Sequence, residues 1–192
     1  MMKKILMLAA IAVLSFTTAQ AQGVSFGAKA GVNFASLTGD DADMLELEGR
    51  TGFHIGAVAN ISISELFAVQ PEIVYSTQGF TLEEMGVEGT GKLDYINIPV
   101  MADFTVAEGF SLQGGPQIGI NVTDEFEAEG ETETLDAEST DFGAAIGAQY
   151  RSALGLFVQA RYTIGLSNVA GDDEDDVDLK NGVISISAGW FF

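Results

Sequence analysis

The feature that most constrains this chain is a period of two. Apolar residues alternate with small or polar ones in segment after segment, which is the pattern of strands with one apolar face. In the last segment Ile184, Ile186, Ala188, Trp190 and Phe192 share one face, while Ser185, Ser187 and Gly189 share the other, with Phe191 as the exception. The first sets Val24, Phe26, Ala28, Ala30, Val32 and Phe34 against Ser25, Gly27, Lys29, Gly31 and Asn33. Segments around Ile55, Ile73, Ile98, Ile118, Ile146 and Val158 repeat the arrangement, which predicts eight strands.

The connections alternate in length. Ser64-Glu65, Ala107-Glu108 and Ser152-Ala153-Leu154 read as tight turns, whereas 36–51, 81–90, 123–139 and 168–181 read as long loops that hold most of the 28 acidic residues. Alternation alone does not separate a soluble barrel or sandwich from a membrane barrel. Three features favour the membrane. Many of the inner positions are Gly, Gln, Asn or Ser, which suit a polar lumen. Aromatic residues sit near strand ends, where girdles lie, and each strand runs about 10–12 residues, enough to cross at a tilt. Past the N-terminal region no stretch reaches the roughly 18–20 apolar residues of a spanning helix. The expectation is therefore all-β: an eight-stranded antiparallel up-and-down transmembrane β-barrel with short periplasmic turns and long acidic external loops.

Residues 1–21 have the form of a signal peptide. Lys3 and Lys4 precede an apolar core from Ile5 to Phe16, and Ala19-Gln20-Ala21 supplies the small-residue cleavage signature. The mature barrel domain is then 22–192. The chain has no Cys, which excludes disulfides, thiolate metal sites and a lipid-modified cysteine. Lys and Arg total 8 against 28 Asp and Glu, a net charge of −20, and loss of Lys3 and Lys4 makes the mature chain more acidic still. Such a surface repels phosphate, so nucleic acid is excluded as a partner.

Several segments carry a resemblance to a known family: the opening Val24-Ser25-Phe26-Gly27-Ala28-Lys29-Ala30-Gly31-Val32-Asn33, then Gln70-Pro71-Glu72-Ile73-Val74-Tyr75-Ser76 and Leu93-Asp94-Tyr95-Ile96-Asn97-Ile98-Pro99-Val100. Gly147-Ala148-Gln149-Tyr150 and the terminal Trp190-Phe191-Phe192 complete it. Together they resemble the outer-membrane β-barrels common in Bacteroidetes, a porin-like family that includes the PorT secretion component. The resemblance implies a bacterial outer-membrane location, contact with outer-membrane lipid and lipopolysaccharide, and an unidentified envelope protein as a further partner. It also implies that Trp190 and Phe192 form the signal read by the barrel-assembly machinery during insertion.

Eight strands enclose an interior that side chains fill, so free diffusion of solutes is not expected. Lys29, Arg151 and Arg161 are placed on the inner face with Glu72, Asp94 and Asp103. Charges removed from water need partners, so a lumen salt-bridge network is the expected role of all six, and a proton or ion path is the alternative. His54, the only histidine, is placed on the same face. No spacing gives it a nucleophile, so no catalytic residue is assigned and the protein is read as a non-enzyme. The run Gly171–Asp178 offers Asp172, Asp173, Asp175, Asp176 and Asp178 to a hard cation, but it lacks the EF-hand arrangement. A solvated acidic loop is preferred there, with weakly bound Ca²⁺ as the alternative and no cofactor expected otherwise. The Glu-rich 123–139 segment has too few apolar residues to order itself alone. The leading function is surface interaction or envelope integrity. The alternatives are a PorT-like part of a secretion or assembly machine, then a lipid-modifying enzyme or a channel.

Overall fold

The computed structural model describes residues 23–39, 48–84, 87–128, 130–135, 137–169 and 179–192. The signal segment 1–21 and the acidic run 171–178 lie outside the described residues. The strands are β1 (Val24–Thr38), β2 (Glu48–Ser62), β3 (Phe67–Glu84), β4 (Val87–Ala107), β5 (Phe110–Ala128), β6 (Glu131–Thr134), β7 (Thr140–Arg151), β8 (Leu156–Gly165) and β9 (Lys180–Phe191). Every pairing is antiparallel, and β1 pairs with both β2 and β9. The pairing of β4 with β5 joins the remaining edges and closes the sheet into an eight-stranded barrel. Strand β6 is a short addition on β5 and takes no part in closure. Closure satisfies the backbone groups that an open edge would leave unpaired in lipid.

The faces follow the alternation. Along β8 exposure switches at every residue from Leu156 to Gly165. Val32, Phe53, Ile55, Ile73, Ile146, Ile184 and Ile186 point outward and are exposed, forming the lipid-facing band. Trp190 and Phe192 also face outward near the end with the tight turns, which is the periplasmic end in the expected orientation, with their rings 6.0 Å apart and the Trp190 indole donating to the Leu154 carbonyl at 3.0 Å. Lys29, Gln70, Glu72, Gln113, Gln159 and Arg161 point inward and are buried. Glycine makes room for the larger inward groups. A Cβ on Gly31 would lie 2.6 Å from the His54 ring, and one on Gly189 would lie 2.3 Å from the Phe157 ring.

The loops differ from expectation in one respect. The segment 81–90 is not a loop: β3 runs on to Glu84 and β4 starts at Val87, with Thr81 paired to Thr90 and Leu82 to Gly89. A crossing needs about 9–11 residues, so β3, β4 and β5, with 18, 21 and 19, overshoot the lipid band on the external side. Strand pairing overrides the weak strand propensity of the Gly and Glu residues there. Likewise the segment 123–139, read as a long loop, is partly strand: β5 continues to Ala128 and β6 pairs back on it, with Glu125 opposite Thr134 and Glu127 opposite Thr132. The neighbouring strand supplies the partner that the composition lacks.

Candidate functional site: the lumen and its two mouths

The centre of the lumen is a carboxylate held by two cations. Glu72 of β3 accepts from Lys29 of β1 at 2.7 Å and from both terminal nitrogens of Arg161 of β8, at 2.8 and 3.0 Å. The fork geometry of guanidinium against carboxylate makes the second contact bidentate. Neutral amides take up much of the remaining capacity. Gln70 donates to Glu72 at 2.9 Å, Lys29 donates to Gln159 at 2.9 Å, and Arg161 donates to Gln113 at 3.1 Å. The Glu72 side chain is fully enclosed. Of the six charged residues expected to share one network, these three meet.

The other three lie elsewhere. Asp103 accepts from Gln113 at 2.6 Å and Ser111 at 3.1 Å, nearer the periplasm. Arg151 sits at the periplasmic rim, its guanidinium 4.2 Å from the centre of the Phe191 ring and 3.5 Å from the Ser25 hydroxyl. Asp94 is not in the lumen network at all. It has the parity of the outward Ile96 and Ile98, accepts from the Tyr75 hydroxyl at 2.7 Å, and lies 3.6 Å from Arg50. Its polarity suggested the lumen, but the period of two governs, and Tyr75 with Arg50 covers the charge at the external edge of the lipid band.

Above the triad His54 takes the lumen hydrogen-bonding place that its inner-face position implies, with partners, Asn33 and Ser187, that sequence reasoning does not name. His54 Nδ1 meets the Asn33 amide oxygen at 2.8 Å, and Nε2 meets the Ser187 hydroxyl at 2.7 Å. Asn33 turns its amide nitrogen to Ser76 Oγ at 2.8 Å, which fixes its oxygen toward His54. Nδ1 then carries the proton and Nε2 accepts from Ser187. The connectivity is that of Ser–His–Asn catalysis, yet His54, Asn33 and Ser187 are each no more than 3% exposed. The void beside them is about 30 Å³. That admits a water molecule and no acyl substrate. The buried Arg161 Nε, which has no protein partner, borders the same void.

The two mouths differ. At the external end Leu37, Leu93, Tyr95 and Val169 form a buried apolar cluster, with Phe80, Leu135, Ala137 and Leu179 packed against it. The connections are stitched together over it: Glu138 N–H donates to the Val169 carbonyl and Val169 N–H to the Leu179 carbonyl, at 3.2 and 2.8 Å. Asn181 donates to Tyr95 and Asp141, at 3.3 and 2.8 Å. Beyond the plug, the β4–β5–β6 tip presents the exposed Glu125, Glu127, Glu131 and Glu133. Lys92 donates to Glu127 and holds that carboxyl below the usual range. At the periplasmic end a cavity of about 660 Å³ opens between the β2–β3, β4–β5 and β7–β8 turns.

A family model described as "Outer membrane protein beta-barrel domain" matches residues 18–171, which is most of the chain. The chain belongs to that family. Its barrel resides in the bacterial outer membrane, with the apolar band against lipid. The fold is similar to that of Ail, the attachment invasion locus protein of Yersinia pestis, at TM-score 0.56 and 20% identity, covering 89% of this chain and 99% of Ail. Ail in complex with the heparin analogue sucrose octasulfate gives TM-score 0.54 and 18% identity over 88% and 99% of the two chains. Neisserial surface protein A gives TM-score 0.63 and 16% identity, again over 88% and 99%. At these identities the likeness is one of fold. No curated protein matches this barrel in sequence.

Proposed function

We propose that this barrel is a non-catalytic surface protein whose acidic external extension engages a cationic partner, with a lumen that conducts no solute. The observation that carries the reading is the overshoot of β3, β4 and β5, which lifts Glu125, Glu127, Glu131 and Glu133 clear of the lipid band. Ail is known in complex with a polyanion, and this chain's extension has the opposite preference, because its carboxylates repel sulfate and attract amines. The apolar plug at the external mouth and the water-sized central void support the closed lumen. Burial of Ser187 and His54 supports the absence of catalysis.

The test uses the full mature barrel in nanodiscs with poly-lysine and sucrose octasulfate as probes. Saturable binding of poly-lysine, lost at high salt and lost when 125–135 is replaced by a short turn, is expected. Binding of the sulfated probe instead, or poly-lysine binding that survives the replacement, would sink the reading. A fluorophosphonate probe should leave Ser187 unlabelled, and labelling would restore the enzyme reading.

The finer expectations belong to the same proposal. Residues 1–21 direct export, so N-terminal sequencing of the mature protein should begin at Gln22. Trp190 and Phe192 serve recognition by the assembly machinery, and lipopolysaccharide covers the external band. For the run Asp172 to Asp178 the proposal is that it holds no specific cation, so Ca²⁺ should not shift the unfolding midpoint. A second reading, a PorT-like component of a Bacteroidetes export machine, is favoured by the open periplasmic mouth. A stoichiometric envelope partner retained through mild-detergent purification would support it.

A further inference from the structure

The periplasmic cavity holds two opposite charges that do not meet. Asp103, 5% exposed, forms part of its lining and is held by the neutral donors of Ser111 and Gln113. Arg151 lines the same cavity, against the Phe191 ring and the Ser25 hydroxyl. Among the described residues the ion pairs are Lys29–Glu72, Arg161–Glu72, Arg50–Asp94 and Lys92–Glu127, and neither Asp103 nor Arg151 enters one within 4.0 Å. Withdrawing a charge from bulk water is costly unless a counter-charge or hydrogen bonds offset it. In the lumen centre the chain provides that counter-charge itself. In this cavity Asp103 and Arg151 act on each other only across the open space, and the groups that touch them are neutral donors and an aromatic face.

We infer that the periplasmic cavity is a binding site for a short zwitterionic peptide, whose ammonium meets Asp103 and whose carboxylate meets Arg151. The volume of about 660 Å³ lies in the range of small-ligand sites. On its wall the buried Asn60 gives its amide nitrogen to Gln70 and Gln149 accepts from Gln159, which leaves the Asn60 oxygen as an acceptor and the Gln149 nitrogen as a donor for peptide groups between the two ends. The exposed Glu65 and Glu108 on the rim make the entrance acidic, which draws an ammonium inward and disfavours a dianion. The external mouth is filled by the Leu37–Leu93–Tyr95–Val169 cluster, so ligand enters from the periplasm. The inference goes beyond the surface role, since it uses the opposite end of the barrel.

Isothermal titration of the mature barrel in nanodiscs with trialanine tests it. Saturable one-to-one binding is expected, with N-acetyl-trialanine and trialanine amide each at least about tenfold weaker, the factor corresponding to about 1.4 kcal/mol for a lost charged contact. Asp103→Asn should abolish the preference for the free ammonium while keeping that for the free carboxylate, and Arg151→Gln should do the reverse. Both variants are compared only with heat-modifiable gel mobility intact. The capped-peptide comparison on the unaltered barrel needs no variant, so it decides the matter if either substitution prevents folding. No saturable binding of trialanine, or equal affinity for the capped peptides, overturns the inference. Replacing 125–135 should leave trialanine binding unchanged, which separates this site from the external one.

Discussion

Glu72 should be the most costly of the three central lumen charges to neutralise. Its carboxylate accepts from Lys29 at 2.7 Å, from Arg161 at 2.8 and 3.0 Å, and from Gln70 at 2.9 Å. The triad carries two positive charges and one negative, so Glu72→Gln leaves an ammonium and a guanidinium facing each other in a side-chain-filled interior. Removing one partner of a buried pair costs about 3–5 kcal/mol, because the survivor stays buried and uncompensated. Lys29→Met has a different outcome. Arg161 and Glu72 stay joined bidentately as a neutral unit, and the losses are the Lys29 contacts to Glu72 at 2.7 Å and to Gln159 at 2.9 Å, against which stands the desolvation cost of the buried ammonium that leaves with them. The removal of the excess positive charge offsets part of that loss. The expected order of destabilisation is therefore Glu72→Gln well above Lys29→Met.

The double variant sharpens the reasoning. In Glu72→Gln with Lys29→Met, Arg161 no longer faces a second cation, so the pair should be less destabilised than Glu72→Gln alone. Urea unfolding of the barrel in lipid vesicles measures this, with Trp190, the single tryptophan, as the fluorescence reporter and heat-modifiable mobility as the second probe. A Lys29→Met cost equal to or above that of Glu72→Gln would refute the charge-imbalance argument. So would a double variant whose cost is the simple sum of the two.

Three further outcomes follow from the same geometry. Gly31→Ala should destabilise by about 1–3 kcal/mol in the same unfolding assay, since its Cβ would lie 2.6 Å from His54 Cε1 and 2.0 Å from the Ile186 carbonyl oxygen. In planar bilayers the barrel should give no conductance steps, and steps of fixed size would contradict a plug built on Leu93 and Tyr95. At the external tip Glu127 has its carboxyl lowered by the Lys92 hydrogen bond. The depressed folded value means that the pair's support is present above the ordinary glutamate range and is lost as pH falls through the lowered value. A carboxyl-shift titration by NMR should place the Glu127 midpoint below that range and return it upward in Lys92→Gln.

Much of the barrel can be read from parity alone, as β8 demonstrates residue by residue. Parity also explains the failures. Asp94 was assigned to the lumen because it is charged, although it stands two residues before the outward Ile96. The structure follows the spacing, with Tyr75 donating to one oxygen of the Asp94 carboxylate and Arg50 standing 3.6 Å from the other. The extension of β3 to β5 was hidden because Gly89, Gly91 and the acidic residues lower strand propensity. What holds the strands there is long-range: Phe80 lies opposite Gly91, and Phe126 covers Gly89. The inward Gln70, Gln113 and Gln159 were read only as generic polar filler. Their role in saturating Glu72, Lys29 and Arg161 depends on three strands far apart in sequence. The only available signal was that each has the inner parity.

The inverted arrangement also decides where this barrel can act. Its apolar side chains face lipid, so the interior is held by charge and hydrogen bonds whose partners must be nearly complete. A lumen saturated in that way has little left with which to bind or react, and the Ser187–His54–Asn33 chain illustrates it: the connectivity of a catalytic device with room for no substrate. Incomplete satisfaction is therefore informative where it occurs beside open space. The acidic tip at one end and Asp103 and Arg151, which face the same cavity without touching, at the other are such places. Chemistry that the centre of the barrel completes internally is left at its ends for molecules from outside the chain.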